Sequence, residues 1–330
     1  MATEVLYTPQ DYPAAAAWST IIFGSLVVIC AIILNTINII CIASTKAFHT
    51  IPYMFLLLLS INDIIFCVWS GVFIIGADIA RSWVFGDVLC QMYVTIQNTL
   101  IGFEMFLLMF LTFSRYFLVV HKKIYRKIFN KRCITGMLIF TWLFAIGWQL
   151  AAVFKIWGCF RYNPHKNLCS FYDVGDYFNL MSMIMTFIVP LMCILFCYIQ
   201  IFRLVSHQKR QLKSHAVKEA ELPTESSRLQ NLQKEKHGKE LKLTKTMVAI
   251  VIMYCLSYFP FMVLMIADKD VNYPVLYKIA TVMIWSFSCW NTIVLIVMNE
   301  QFRQVCFQKI ALLKCCEKHN TVEPFTNGTT

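Results

Sequence analysis

The stretch Cys90–Val120, CQMYVTIQNTLIGFEMFLLMFLTFSRYFLVV, decides how the rest of the chain must be read. It is far too apolar for a helix facing water, yet it opens on a cysteine, carries a single carboxylate at Glu104 and closes on Ser114-Arg115-Tyr116. The basic run HKKIYRKIFNKR follows at once. At 1.5 Å of rise per residue, Cys90 to Arg115 covers roughly 37 Å, enough to cross a bilayer at a tilt. One end belongs to an oxidising side and the other to a basic surface.

The composition around this stretch agrees. With 58% hydrophobic and only 14% charged residues, the chain has too little polar surface to cover a soluble domain. Long apolar segments recur at Ser19–Ala43, Tyr53–Ile75, Val88–Val120, Cys133–Ile156, Tyr177–Val205, Met247–Ile266 and Val275–Met298. Each can span, and in lipid only helices or closed barrels satisfy their own backbone. The expectation is an all-α membrane protein, a seven-transmembrane helix bundle.

A net charge of +11 would suit a nucleic-acid binder if the charges shared one face, but they cluster in alternate loops. Lys122, Lys123, Arg126, Lys127, Lys131 and Arg132 form one group, and a second runs through Ser206–Lys245, whereas Met1–Trp18 has neither Lys nor Arg. The positive-inside rule then places the N-terminus outside and the C-terminus in the cytoplasm. No basic n-region or cleavage site precedes the first span, which reads as a retained anchor. The chain divides into an outer N-terminus at 1–18, a membrane domain at 19–299, an amphipathic helix at 300–314 and a tail at 315–330. The polar, charged segment 206–239 is expected to lack fixed structure between helical extensions of its neighbours.

Of the fourteen cysteines, Cys90, Cys159 and Cys169 sit at outer helix ends or beyond, where a disulfide persists. Cys90 is read as pairing with Cys169, with Cys159 either competing for Cys169 or free. After the seventh span, Phe302, Val305, Cys306, Ile310 and Leu313 recur at helical spacing while Arg303, Lys309 and Lys314 can meet headgroups. This is an interfacial helix, and Cys315-Cys316 at its end suit palmitoylation.

An ionisable side chain at membrane depth is costly and points to function. Counted from the inner ends of their helices, Asn35, Asp63, Glu104 and Asn291 all lie roughly 13–17 Å above the inner surface and form one polar layer. Two carboxylates in such a layer cannot both stay ionised without a cation, so Asp63 and Glu104 either share a proton or hold Na⁺, with Asn35, Ser288 and Asn291 as further oxygen donors. No His/Cys/Asp grouping has metal-ligand spacing, no Gly-rich phosphate loop occurs and no Ser-His-Asp set falls at one depth, so no enzyme is expected. Apart from sodium, no cofactor or metal is implied.

In order, these residues resemble the anchors of rhodopsin-like (class A) G-protein-coupled receptors. They are Asn35 in the first span, Leu59-Ser60-Ile61-Asn62-Asp63 in the second, Cys90 and Ser114-Arg115-Tyr116 in the third and Trp142 in the fourth. Pro190 and Tyr198 follow in the fifth, Ser257-Tyr258-Phe259-Pro260 in the sixth, and Asn291-Thr292-Ile293-Val294-Leu295, then Phe302-Arg303, in and after the seventh. Trp83-Val84-Phe85-Gly86 is similar to the family's first outer loop. The likeness covers about Ser19 to Leu313. It implies an extracellular ligand, a heterotrimeric G protein and arrestin as partners, and a coupling switch of Arg115, Tyr198, Glu240 and Pro260.

The departures are specific. Ser114 stands where the family has an acid, Tyr258 where it has tryptophan, and Thr292 and Leu295 where the seventh span has proline and tyrosine. Glu240 is left as the resting partner of Arg115. Within the family the chain looks most like melatonin receptors and their invertebrate relatives, through Arg161-Tyr162-Asn163-Pro164, Cys169-Ser170-Phe171 and Phe187-Ile188-Val189-Pro190-Leu191. Two melatonin-contacting positions nevertheless fall on Ala152 and Asp173. Gln97 replaces the aspartate that pairs with amines, and Trp285 stands where opsins carry the retinal lysine, with Lys278 two turns outward.

The resemblance therefore implies a pocket of Tyr93, Gln97, Gln149, Phe171, Tyr172, Asp173, Tyr258, Phe261 and Trp285, an aromatic cup suited to a small neutral or weakly polar ligand. The reading is a plasma-membrane receptor; the alternative is an uncoupled or constitutively active relative that serves as a scaffold or heteromer partner.

Overall fold

In the computed structural model, residues 13–156, 158–172, 181–216, 225–268 and 271–320 are described. Among the described residues, seven helices are long and apolar enough to cross a membrane: Ala14–Ser44, Ile51–Ala80, Gly86–Val120, Lys131–Val153, Met181–His207, Lys242–Ala267 and Pro274–Met298. Their outward faces remain strongly apolar, with Phe23, Val72, Phe140, Leu143, Phe202, Phe259 and Val297 exposed, as a surface solvated by lipid tails requires. The third span is the most enclosed of the seven and packs against the second, fourth and fifth.

Local chemistry sets the ends. Pro52 and Pro274 open the second and seventh spans, where a missing N–H costs nothing. Asn130 caps the fourth by accepting the Cys133 N–H at 2.9 Å. The second ends on Arg81 in the left-handed conformation (φ 58°), and Gly86, at φ 82°, turns the chain into the third. At the C-terminal end of the sixth span, Asp268 accepts the amides of Asn272 and Tyr273 at 2.8 and 3.0 Å. Burial pushes its carboxyl up, but these bonds and Lys166 outweigh it and hold the group below its ordinary value.

The bounds differ from expectation at three places. The first helix begins at Ala14 and includes a wider turn over Thr20–Gly24. The helical extensions of the fifth and sixth spans run far into the segment read as lacking fixed structure, to Ala216 and from Glu225, with 217–224 outside the described residues. The last helix, Glu300–Asn320, is longer than the amphipathic pattern suggested. It docks through buried Phe302, whose ring lies 5.4 Å from Phe48, and through Cys306, whose Sγ is 3.1 Å from Cys41 Sγ. The side chains of Cys315 and Cys316 lie outside the described residues.

An antiparallel hairpin, β1 (Cys159–Asn163) and β2 (Leu168–Tyr172), covers one mouth of the bundle. The alternation of its short segments was not read from the sequence. A disulfide joins Cys169 of β2 to Cys90 near the N-terminal end of the third span, and Cys159 is a free thiol.

Candidate functional site

Beneath the hairpin lies a cavity of about 540 Å³, within the range of small-ligand sites. The third span contributes Tyr93, Gln97 and Asn98, the fourth Gln149, the sixth Tyr258 and Phe261, and the seventh Tyr277, Lys278 and Thr281. Asn98 donates to Gln149 Oε1 at 3.4 Å, and Ser70 donates to Gln97 Oε1 at 3.2 Å, so the amides are oriented from behind. Of the contacts expected from sequence, Tyr93, Gln97, Gln149, Phe171, Tyr258 and Phe261 all lie in the wall. Trp285 does not. It is fully buried against the first span, where any side chain at Gly24 would meet it at 2.7 Å. The Tyr172 side chain and Asp173 are outside the described residues.

The roof is held by a group the sequence reading missed. Lys278 donates to Asp78 Oδ1 and Oδ2 at 2.8 and 3.0 Å, with both side chains buried. Asn167, in the turn of the hairpin, donates to the same Asp78 Oδ1 at 3.0 Å and to Ala77 O at 2.9 Å. Tyr162 donates to Asn167 Oδ1 at 2.8 Å. One carboxylate thus ties the second span, the seventh span and the hairpin together. A signal was present, because a lone lysine in an apolar helix requires an acid at matching depth.

The expected polar layer is assembled below the cavity. Asp63 accepts from Ser288 Oγ at 3.0 Å and from Asn291 Nδ2 at 2.8 Å, while Asn35 Nδ2 donates to Ser288 O at 2.8 Å. The carboxyl groups of Asp63 and Glu104 share this buried layer and act on one another electrostatically, an arrangement that calls for a proton or a cation between them. Tyr258 donates to Glu104 Oε2 at 3.0 Å. Since Tyr258 also lines the cavity, the two levels are joined through one hydroxyl.

Comparison with known proteins agrees with this geometry. The pattern of the family described as 7 transmembrane receptor (rhodopsin family) matches residues 34–294. The chain belongs to the rhodopsin family of seven-transmembrane receptors. Its relatives include the G-protein coupled receptor moody of Drosophila melanogaster, 25% identical over 92% of this chain and 52% of that one. Melatonin receptor type 1C of Xenopus laevis is 24% identical over 82% of this chain and 62% of the relative. The crystal structure of squid rhodopsin superimposes with a TM-score of 0.75 at 22% identity, over 96% of this chain and 94% of that one. The receptor spans about half the length of the moody proteins it matches. Its likeness is therefore not confined to melatonin receptors.

Near the C-terminal end of the third span, Arg115 is buried. Its neighbour Ser114 bonds within its own helix, donating to Leu111 O at 2.7 Å, so it offers the arginine no charge. Tyr198 accepts from Thr112 Oγ1 at 3.2 Å, linking the third and fifth spans one turn above Arg115. Pro260 lies inside the sixth helix, where the ladder loses a donor. The Glu240 side chain lies outside the described residues.

Proposed function

We propose that this is a plasma-membrane receptor, N-terminus outside and C-terminus in the cytoplasm, that converts binding of an extracellular small molecule into activation of a heterotrimeric G protein, with arrestin as a further partner. One observation carries this reading. The third span alone holds Tyr93 and Gln97 in the cavity, Glu104 in the buried layer and Arg115 at the inner end. Tyr258 connects the first two levels from the facing sixth span. A ligand that prefers one placement of Tyr258 shifts the population of the whole arrangement; no chemistry is required.

The ligand is a small molecule with mostly apolar contacts. The retinal position is Trp285, packed on Gly24, and Lys278 holds Asp78, so neither serves as a Schiff-base lysine. Gln97 gives an amine no counter-charge. The layer fits sodium by its chemistry: Glu104 Oε1 and Asn291 Oδ1 have no hydrogen-bond donor among the described residues, and hard cations take oxygen ligands. Asp63, Ser288 and Asn35 complete the set.

The test is basal cAMP and calcium signalling in cells expressing the chain beside Arg115→Ala. Signal that disappears with Arg115→Ala, at equal surface expression, supports the reading. Retained signal removes it, and a silent, well-expressed chain favours the scaffold alternative.

A further inference from the structure

The two ends of the bundle treat their cysteines differently. Cys90 and Cys169 are bonded where the hairpin meets the third span. At the opposite end, Cys41 of the first span and Cys306 of the last helix stand Sγ to Sγ at 3.1 Å, in hydrogen-bond contact, and both are free thiols. They are 265 residues apart in sequence, so only the docking of the last helix brings them together. A disulfide needs an S–S distance of about 2.05 Å, and the two sulfurs have to approach by only about 1 Å to reach it.

The helix that carries Cys306 is lightly held. Among its described side chains only Phe302 and Cys306 are buried. Phe302 packs on Phe48. At the start of the helix, Asn299 Oδ1 accepts the Phe302 N–H at 3.1 Å while Asn299 Nδ2 donates to the Tyr53 hydroxyl at 2.6 Å. A segment with so few buried contacts opens locally at low cost. Opening gives a small oxidant access to sulfurs that are covered while the helix is docked. Lys309, about one turn beyond Cys306, acts electrostatically on Cys41, and it is beside such a cation that a reactive thiolate sits.

We propose that Cys41 and Cys306 form a reversible redox-modification site, at which a peroxide converts the two thiols into a disulfide that fastens the last helix to the first span. The thiolate of one cysteine attacks a peroxide oxygen, the O–O bond breaks, and hydroxide leaves a sulfenic acid behind. When the helix redocks, the second sulfur attacks the sulfenic sulfur. The S–S bond forms, the S–O bond breaks, and the hydroxyl leaves as water with the second thiol's proton. In sum two thiols lose two electrons and one hydrogen peroxide becomes two waters; a dithiol reverses the bond by exchange. On the topology proposed above this end faces the cytoplasm, where reducing thiols make such a bond transient. The site is independent of what fills the cavity.

The experiment uses the full chain in nanodiscs, exposed while folded to graded hydrogen peroxide, quenched in acid and alkylated with N-ethylmaleimide. Peptide mass spectrometry then reads the free and linked cysteines, and amide hydrogen exchange reads the last helix. Cys41 and Cys306 should lose their free thiols together and appear as one linked peptide that dithiothreitol removes, while exposed Cys133 gains only single-residue oxidation. Exchange over residues 300–309 should slow roughly tenfold or more on oxidation, because the cross-link restricts the opened state. In Cys306→Ser, peroxide should leave that exchange unchanged. Three results overturn the proposal: both thiols staying alkylatable in the oxidised protein, each oxidising further without linking, or either linking to another cysteine instead. A linked pair with unaltered exchange removes the fastening of the helix. Failure of the pair to link would leave two cysteines that only pack, and it would not touch the receptor reading, which Arg115-dependent signalling tests separately.

Discussion

The phenol of Tyr258 lies 3.0 Å from Glu104 Oε2, so a side chain of the ligand cavity donates directly to a carboxyl of the buried layer. Its ring is fixed by Tyr254, stacked at 4.1 Å, and Tyr254 in turn meets Phe287 of the seventh span edge-on at 4.9 Å. The hydroxyl is thus held in place by an aromatic stack and is not free to follow solvent.

Tyr258→Phe keeps that stack and removes only the hydroxyl. A buried oxygen that loses its donor costs about 1–3 kcal/mol, so the purified variant should melt at a lower temperature than the parent. Basal Arg115-dependent signal should rise, because the bond joins the sixth span to the third in the arrangement described here. An unchanged basal signal in a folded variant would show that this bond does not discriminate between the receptor's states.

Glu104→Gln replaces one carboxyl of the buried pair with an amide. The amide can donate to Asp63 and accept from Tyr258 without a shared proton or a cation, so the fold should persist while any dependence of melting temperature on sodium is lost. Titration of sodium chloride against choline chloride on both proteins measures this. A sodium response that survives the substitution would place the ion elsewhere.

Much of this layer was legible because depth along a spanning helix can be counted. Asn35, Asp63, Glu104 and Asn291 fall at one height whichever way their helices rotate. Rotation is what sequence leaves open. Trp285 sits at the level of a ligand contact, yet the absence of a side chain at Gly24 lets the first span take up its ring. Asp78 was overlooked for a related reason. An acid at the end of a helix reads as a headgroup contact, and only the approach of Lys278 and Asn167 from distant segments buries it.

The Asp78–Lys278 pair should behave as a buried ion pair does. Removing one partner strands the other charge at a cost of about 3–5 kcal/mol, whereas removing both can be nearly neutral. Asp78→Asn and Lys278→Met should each reduce surface expression and melting temperature sharply, and the double variant should recover most of the loss. Additive losses in the double-mutant cycle would mean that the two groups are not coupled.

Asn167 bears on the same carboxylate from the hairpin and stands at φ 47°, a conformation in which asparagine is tolerated better than most residues. Asn167→Gly keeps the backbone unstrained and deletes the side-chain bonds to Asp78 and Ala77. Each net bond contributes about 1 kcal/mol. Amide hydrogen exchange over Cys159–Tyr172 should therefore quicken while exchange in the membrane helices stays unchanged. Asn167→Ala should be worse than Asn167→Gly by about 1 kcal/mol, the cost of a Cβ in that conformation.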